Sequence, residues 1–136
     1  MEYGEFYMFS NGITAKEAFE KAKEETIAIY GDDSYSYPIL QKKEFKEFST
    51  DITEINKIYE DKVESLGFFQ KKKKERMENE KFHFKTRSKR TGKDKATAIA
   101  HFLIEIEPEE INAPEKPAGI IKVLKNEWLI FGFINE

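Results

Sequence analysis

The stretch AGIIKVLKNEWLIFGFI, residues 118–134, is the densest apolar run in the chain and decides the fold. Two runs rich in Ile, Val, Leu, Phe and Trp flank Lys125-Asn126-Glu127. This predicts a β-hairpin in which Asn126 takes the left-handed conformation that a short turn needs. Residues 128–134 are apolar almost without interruption, so the hairpin is expected at the centre of a sheet covered on both faces. The upstream chain is then read as the source of that cover.

Working outward, Glu2 to Ser10 alternates as a first strand and stops at Asn11-Gly12. Thr14-Ala15-Lys16-Glu17 is a capping box, in which hydroxyl and carboxylate satisfy each other's free backbone amides. The helix that follows places Ala15, Ala18, Phe19, Ala22, Thr26, Ile29 and Tyr30 on one face, with Gly31 as a left-handed C-cap. Asp32 to Pro38 has the composition of a loop, and a second strand is expected at about Ile39 to Lys43. Phe45 and Phe48 fall at helical rather than alternating spacing. Ser49, Thr50 and Asp51 offer caps for a second helix whose apolar face is Ile52, Ile55, Ile58, Tyr59, Val63 and Leu66.

Phe68 to Glu80 has good helix formers but almost no apolar face, which leaves a projecting helical arm, half of a long hairpin, or a mobile segment. From Lys81 the period becomes two, with Phe82 and Phe84 on one side of a strand and Lys81, His83, Lys85, Arg87 and Lys89 on the other. Residues 94–106 fit either period. Their alanines, a cap at Asp94 or Thr91, and Pro108 just beyond favour a helix. Three prolines stiffen the connection from Pro108 to Pro117. The expectation is an α+β domain over residues 1–136 with a basic arm or insertion at about 68–92. Two to three helices would lie on a mainly antiparallel sheet of about five strands, in the order β-α-β-α-β-α-β-β.

The chain of 136 residues is 39% hydrophobic and 14% aromatic, enough for one ordered core despite 36% charged residues. It contains no cysteine, which excludes disulfides, thiolate metal sites and a cysteine nucleophile. With no basic-then-apolar leader and no apolar run near the roughly 18 residues of a membrane span, a cytoplasmic protein without membrane contact is expected. The net charge of -3 conceals a split. Lys71 to Lys95 carries twelve Lys or Arg against four Asp or Glu, so the rest of the chain is strongly acidic.

Catalytic chemistry finds little support. His83 and His101 are the only histidines, and nothing marks them as neighbours. Asp32-Asp33 and Glu107, Glu109 and Glu110 read as solvated surface rather than a cation site. Phosphate loops, dinucleotide fingerprints and zinc spacings are absent from the sequence, so no enzyme, metal or cofactor is expected.

The basic segment is the candidate binding surface: Lys71, Lys72, Lys73, Lys74 and Arg76 on the arm, then Lys81, Lys85, Arg87, Lys89 and Arg90. Tyr35 and Tyr37 in the aromatic loop complete the set. A row of basic side chains along a strand face matches an acidic protein patch or a phosphate backbone. The same residues also serve as the lysines that protect an edge strand from aggregation. Sequestering a small anionic nucleotide between Arg87 or Arg90 and Tyr35 or Tyr37 is a further reading.

Some of these positions carry a resemblance. Thr14, Ala15, Ala18 and Phe19 form a Thr-Ala-x-x-Ala-Phe helix that ends in Tyr30-Gly31. Tyr35, Ser36 and Ile39 follow, then Pro117-Ala118-Gly119 and Leu129, Phe131, Gly132 and Phe133. In these the chain resembles a group of small uncharacterised proteins of bacteriophages and other mobile elements. Tyr37-Pro38 stands where that group has Gly-Thr, and the Trp-Gly before Pro-Ala-Gly is missing. The resemblance implies a phage-encoded accessory protein of the host cytoplasm. Taken with the small single domain, the lack of catalytic groups and the split charge, the expected role is to inhibit a host defence or nucleic-acid-processing factor by direct binding, in the manner of anti-CRISPR proteins.

Overall fold

Residues 118–134 form the expected hairpin, β3 (Ala118–Leu124) and β4 (Glu127–Ile134), at the centre of a four-stranded sheet. The computed structural model describes residues 3–32, 37–67 and 70–136. Outside the hairpin lie β1 (Gly4–Asn11) and β2 (Phe45–Phe48), in the sheet order β1-β4-β3-β2. β4 is antiparallel to both neighbours, whereas β2 runs parallel to β3. Four helices complete the α+β fold: α1 (Ala15–Tyr30), α2 (Ile52–Ser65), α3 (Lys71–Arg87) and α4 (Gly92–Ile106).

The hairpin is covered on both faces because its alternate residues feed two separate cores. Trp128, Ile130, Ile120 and Ala118 pack with Phe6 and with Ala15, Ala18, Phe19 and Ala22 of α1. Leu129, Phe131, Phe133 and Ile121 pack on the other side beneath α2, α3 and α4. There Phe102 of α4 stacks on Phe84 of α3 at 4.4 Å and meets Tyr59 of α2 at 5.9 Å. Trp128 donates its indole N–H to the Gly12 carbonyl at 2.8 Å, so the largest side chain of the hairpin is also satisfied.

Four corrections to the sequence reading follow from this two-sided sheet. Ile39–Lys43 is not a strand. Pro38 opens a 3-10 turn, Pro38–Gln41, where its fixed φ suits a first helical position. The strand is Phe45–Phe48, whose spacing of three looked helical. In a strand whose two ends touch different cores, an odd spacing sends Phe45 to the α1 core, against Phe19, and Phe48 to the other, against Phe131, with exposed Lys46 and Glu47 between them. Four strands and four helices therefore replace the five strands and two to three helices expected, and three helices intervene in sequence between β2 and β3.

Residues 81–89 are likewise not a strand, because Lys81–Arg87 is the second half of α3. The alternation of Phe82 and Phe84 was coincidental: Phe84 lies two helical turns from Met77 and both are buried, while Phe82 is 72% exposed. The 68–80 segment, left open between three readings, folds from Lys71 as the start of the same helix. Finally, Asn126 is not left-handed; the only non-glycine residue with positive φ among those described is Glu107. Lys125-Asn126 instead closes the hairpin beside an irregularity between Lys122 and Leu124. An extra residue there adds the twist that a turn with negative φ lacks.

Helix α1 begins at Thr14 and ends at Gly31 as read, but only half of the capping box forms. The Thr14 hydroxyl accepts from the Glu17 amide at 3.1 Å, with no return bond to the Glu17 carboxylate. Gly31 closes the helix at φ 87° and ψ 179°, an extended positive-φ conformation rather than the left-handed helical one. Its buried face stops short of Ile29 and Tyr30, which are exposed. Thr14→Ala is expected to lower stability by about 1 kcal/mol, with Thr14→Asp close to neutral, in thermal melts of the two variants. Equal losses would remove Thr14 from the cap. Thr91 occupies the N-cap position of α4, and Asp51 caps α2 through the Thr53 amide at 2.8 Å.

Candidate functional site

The basic segment divides into two parts with different surroundings. Lys73 forms an ion pair with Glu107 and Arg76 lies 3.9 Å from Glu105, so the start of α3 sits beside the end of α4 and the two helices run in opposite directions. Lysines in a first helical turn are unfavourable against the positive end of the helix dipole, by some 0.3 to 1 kcal/mol each. Here the negative, carbonyl end of α4 lies alongside. Burial pushes the Glu105 carboxyl up from its ordinary range, with Glu80 adding to the effect and Arg76 opposing it. Burial lowers the Lys62 amine of α2, and Lys73 adds to that shift. The run Lys71 to Arg76 is thus an electrostatic seam between helices as much as a free surface.

The strand-face row of Lys81, Lys85, Arg87 and Lys89 does not exist, because on a helix Arg87 turns away from Lys81 and Lys85, which stay one turn apart. Lys81 lies 4.7 Å over the Tyr59 ring and Arg87 pairs with Glu80 at 3.8 Å. Lys81 and Lys85 border one small hollow with Ile52 and Asn56, and Lys89 is exposed in the turn after α3. Tyr37 stacks on Tyr30 at 4.4 Å, beside the α1 core, whereas Arg87 and Arg90 belong to the helices on the other side of the sheet. Tyr35 lies outside the described residues. His83 is on the open side of α3, and His101 of α4 lies against Tyr7 at 4.3 Å. Among the described residues there is no cluster of three His, Asp or Glu that could hold a metal ion.

The second part is where the fold gathers cations. Arg90, at the end of the α3–α4 connection, and Lys95, in the first turn of α4, share a cleft of about 500 Å³ with Lys125 of the hairpin turn. Lys122 of β3, also at its border, turns its amine 5.9 Å over the Trp128 ring on the α1 face of the sheet. Thr50 and Thr91 supply hydroxyls, and no carboxylate is among the described residues that line the cleft. The cleft opens at the N-terminus of α4. Thr91 makes no side-chain cap there, so first-turn amides add their partial positive charge to the three cations, offset in part by Asp94 of the same turn. Such an arrangement can hold phosphates or clustered carboxylates.

Of these residues only Arg90 was singled out from the sequence. Lys95 closes the basic run, but Lys125 was read only as part of the hairpin. Nothing in the linear order joins it to Arg90, since the α3–α4 packing and the sheet together make the cleft. No protein-family model, curated protein or solved structure matches the chain.

Proposed function

We propose that the protein acts by binding rather than by catalysis, and that it docks an anionic surface of its partner into the cleft of Arg90, Lys95 and Lys125. What supports this reading is the meeting of three cations from separate segments at one concavity that no described carboxylate lines. Like charges so placed repel one another and are best compensated by an external anion, whose approach they also steer. Together with the resemblance to phage and mobile-element proteins, this favours an accessory protein that inhibits a host defence or nucleic-acid-processing factor by occupying it.

Nucleic acid itself is the second reading, favoured by the uncapped start of α4, where a backbone phosphate can sit. The aromatic residues of the fold do not line the cleft, so it offers phosphate contacts without base stacking.

A Lys95→Glu, Lys125→Glu variant tests the proposal. All three cleft cations lie near the surface, so its melting temperature is expected to match that of the wild type. Capture of the partner from bacterial lysate should fall more than tenfold. Equal capture by the folded variant overturns the assignment. Titration with a DNA duplex separates the two readings, because phosphate binding weakens steeply as salt rises, with a slope set by the number of contacts.

A further inference from the structure

The two edges of the sheet are not alike. β2 is four residues long and carries Lys46 and Glu47 on its exposed positions, as a protected edge does. β1 is eight residues long, GEFYMFSN, without proline or lysine, and Glu5 is its only charge. Its register with β4 contains no irregularity from Gly4 to Asn11.

The direction of its free backbone groups follows from one hydrogen bond. Gly12 donates to the Asn126 carbonyl at 3.0 Å, on the same register that pairs Asn11 with Glu127. Hydrogen-bonded residues alternate along an antiparallel ladder, so Ser10, Met8, Phe6 and Gly4 face β4. Glu5, Tyr7, Phe9 and Asn11 therefore turn their N–H and C=O groups outward. Among the described residues no hydrogen bond reaches those groups. Tyr7 is half-buried, and Glu5, Phe9 and Asn11 are exposed.

We propose that this edge pairs with β1 of a second copy, antiparallel about a two-fold axis at Tyr7, so that the two sheets become one. A two-fold perpendicular to the sheet keeps each face in place, so residues directly opposite must lie on the same face. Pairing Tyr7 with Tyr7 and Glu5 with Phe9 meets that condition. It also makes the outward-facing residues the hydrogen-bonded pairs, each exchanging two N–H···O=C bonds.

Charge selects a copy of this chain over a foreign strand. The Lys93 amine lies 4.8 Å over the Phe9 ring and 3.7 Å from the Glu127 carboxylate, with its side chain 59% exposed. Glu5 of the second copy, directly across from Phe9, comes beneath that amine, and the symmetry repeats the contact. The single carboxylate of the edge thus joins Glu127 around a cation that β1 itself does not carry. Side chains opposite one another in a ladder are close enough for such a pair to matter.

Sedimentation and concentration-dependent hydrogen exchange of the full chain test the pairing. A dimer is expected, with the amides of Glu5, Tyr7 and Phe9 gaining protection as concentration rises while that of Met8 is protected throughout. Glu5→Lys should raise the dissociation constant about tenfold or more, since the reversal acts twice, and adding Lys93→Glu should recover most of the loss. A chain that stays monomeric at about 200 μM overturns the proposal. So does a dimer in which those outward amides exchange freely, or a charge swap that fails to restore association in a variant whose melt is unchanged.

Discussion

Phe131→Ala is expected to lower the free energy of unfolding by about 3 to 5 kcal/mol. Phe131 is fully buried, meets Phe48 at 6.1 Å and lies opposite Gly119 in the hairpin. That glycine is there for the ring: a Cβ on residue 119 would stand 2.3 Å from Cζ of Phe131. Gly119→Ala should therefore destabilise as well, by about 1 to 3 kcal/mol, through overpacking rather than a cavity. The two substitutions should be strongly non-additive, since removing the ring removes the clash. Urea unfolding of both single variants and the double variant measures this. A loss under about 1 kcal/mol for Phe131→Ala would displace the hairpin from the core.

The stability of the wild-type protein should rise between pH 8 and 10, by about 2 to 3 kcal/mol, through Lys42. This side chain is 1% exposed and donates to the carbonyls of Pro114 and Lys116 at 3.0 Å each. It ties the segment before β2 to the proline-rich connection that delivers β3. Burial pushes its amine down to about 8, against a smaller opposing effect of Glu115. Below pH 8 the amine is charged in both folded and unfolded chains, and the folded state bears the desolvation. Between 8 and the ordinary lysine value the unfolded chain binds more protons, so stability increases with pH. Above about 10 the trend turns, because burial holds the Tyr7 and Tyr59 hydroxyls protonated in the fold while those of the unfolded chain ionise. Lys42→Met should flatten the rise whatever it does to stability at pH 8. A variant whose stability still climbs between pH 8 and 10 would assign the effect to another group.

The hairpin, α1 and α2 were legible because each shows a single period with turn or cap signals at its ends, and α4, which fits either period, because its alanines, the cap at Thr91 and Pro108 beyond its end favour a helix. Residues 118–134 even announced that both faces are covered. What misled were segments with two readings whose choice lay outside them. Phe45 and Phe48 look helical unless two cores are known to flank the strand. Phe82 and Phe84 look like a strand unless Met77 is known to share a pocket with Phe84. The basic residues were recognised as a charge asymmetry, but their grouping was not. Lys73 and Arg76 are turned to carboxylates at the end of α4, and Arg90 is joined by Lys95 and by Lys125 of the hairpin, through contacts between residues far apart in sequence. Lys42 gave no signal at all, since a lone lysine after a proline turn looks the same whether solvated or buried.

The order of strands across the sheet also bears on how the chain is made. β1 and β2 are synthesised early, yet each pairs only with a strand of the C-terminal hairpin, and Gly4 waits for Ile134. At about 5 to 20 residues per second, the wait on the ribosome is on the order of ten seconds. During that time the amphipathic helices α2, α3 and α4 emerge with no sheet to cover. Folding is then gated by the last strands to appear, and pairings of such long sequence separation place it among slow, millisecond-to-second folders. The aromatic segment GEFYMFSN meanwhile has neither of its edges paired, which makes the nascent chain most prone to misassociation just before its final strands arrive.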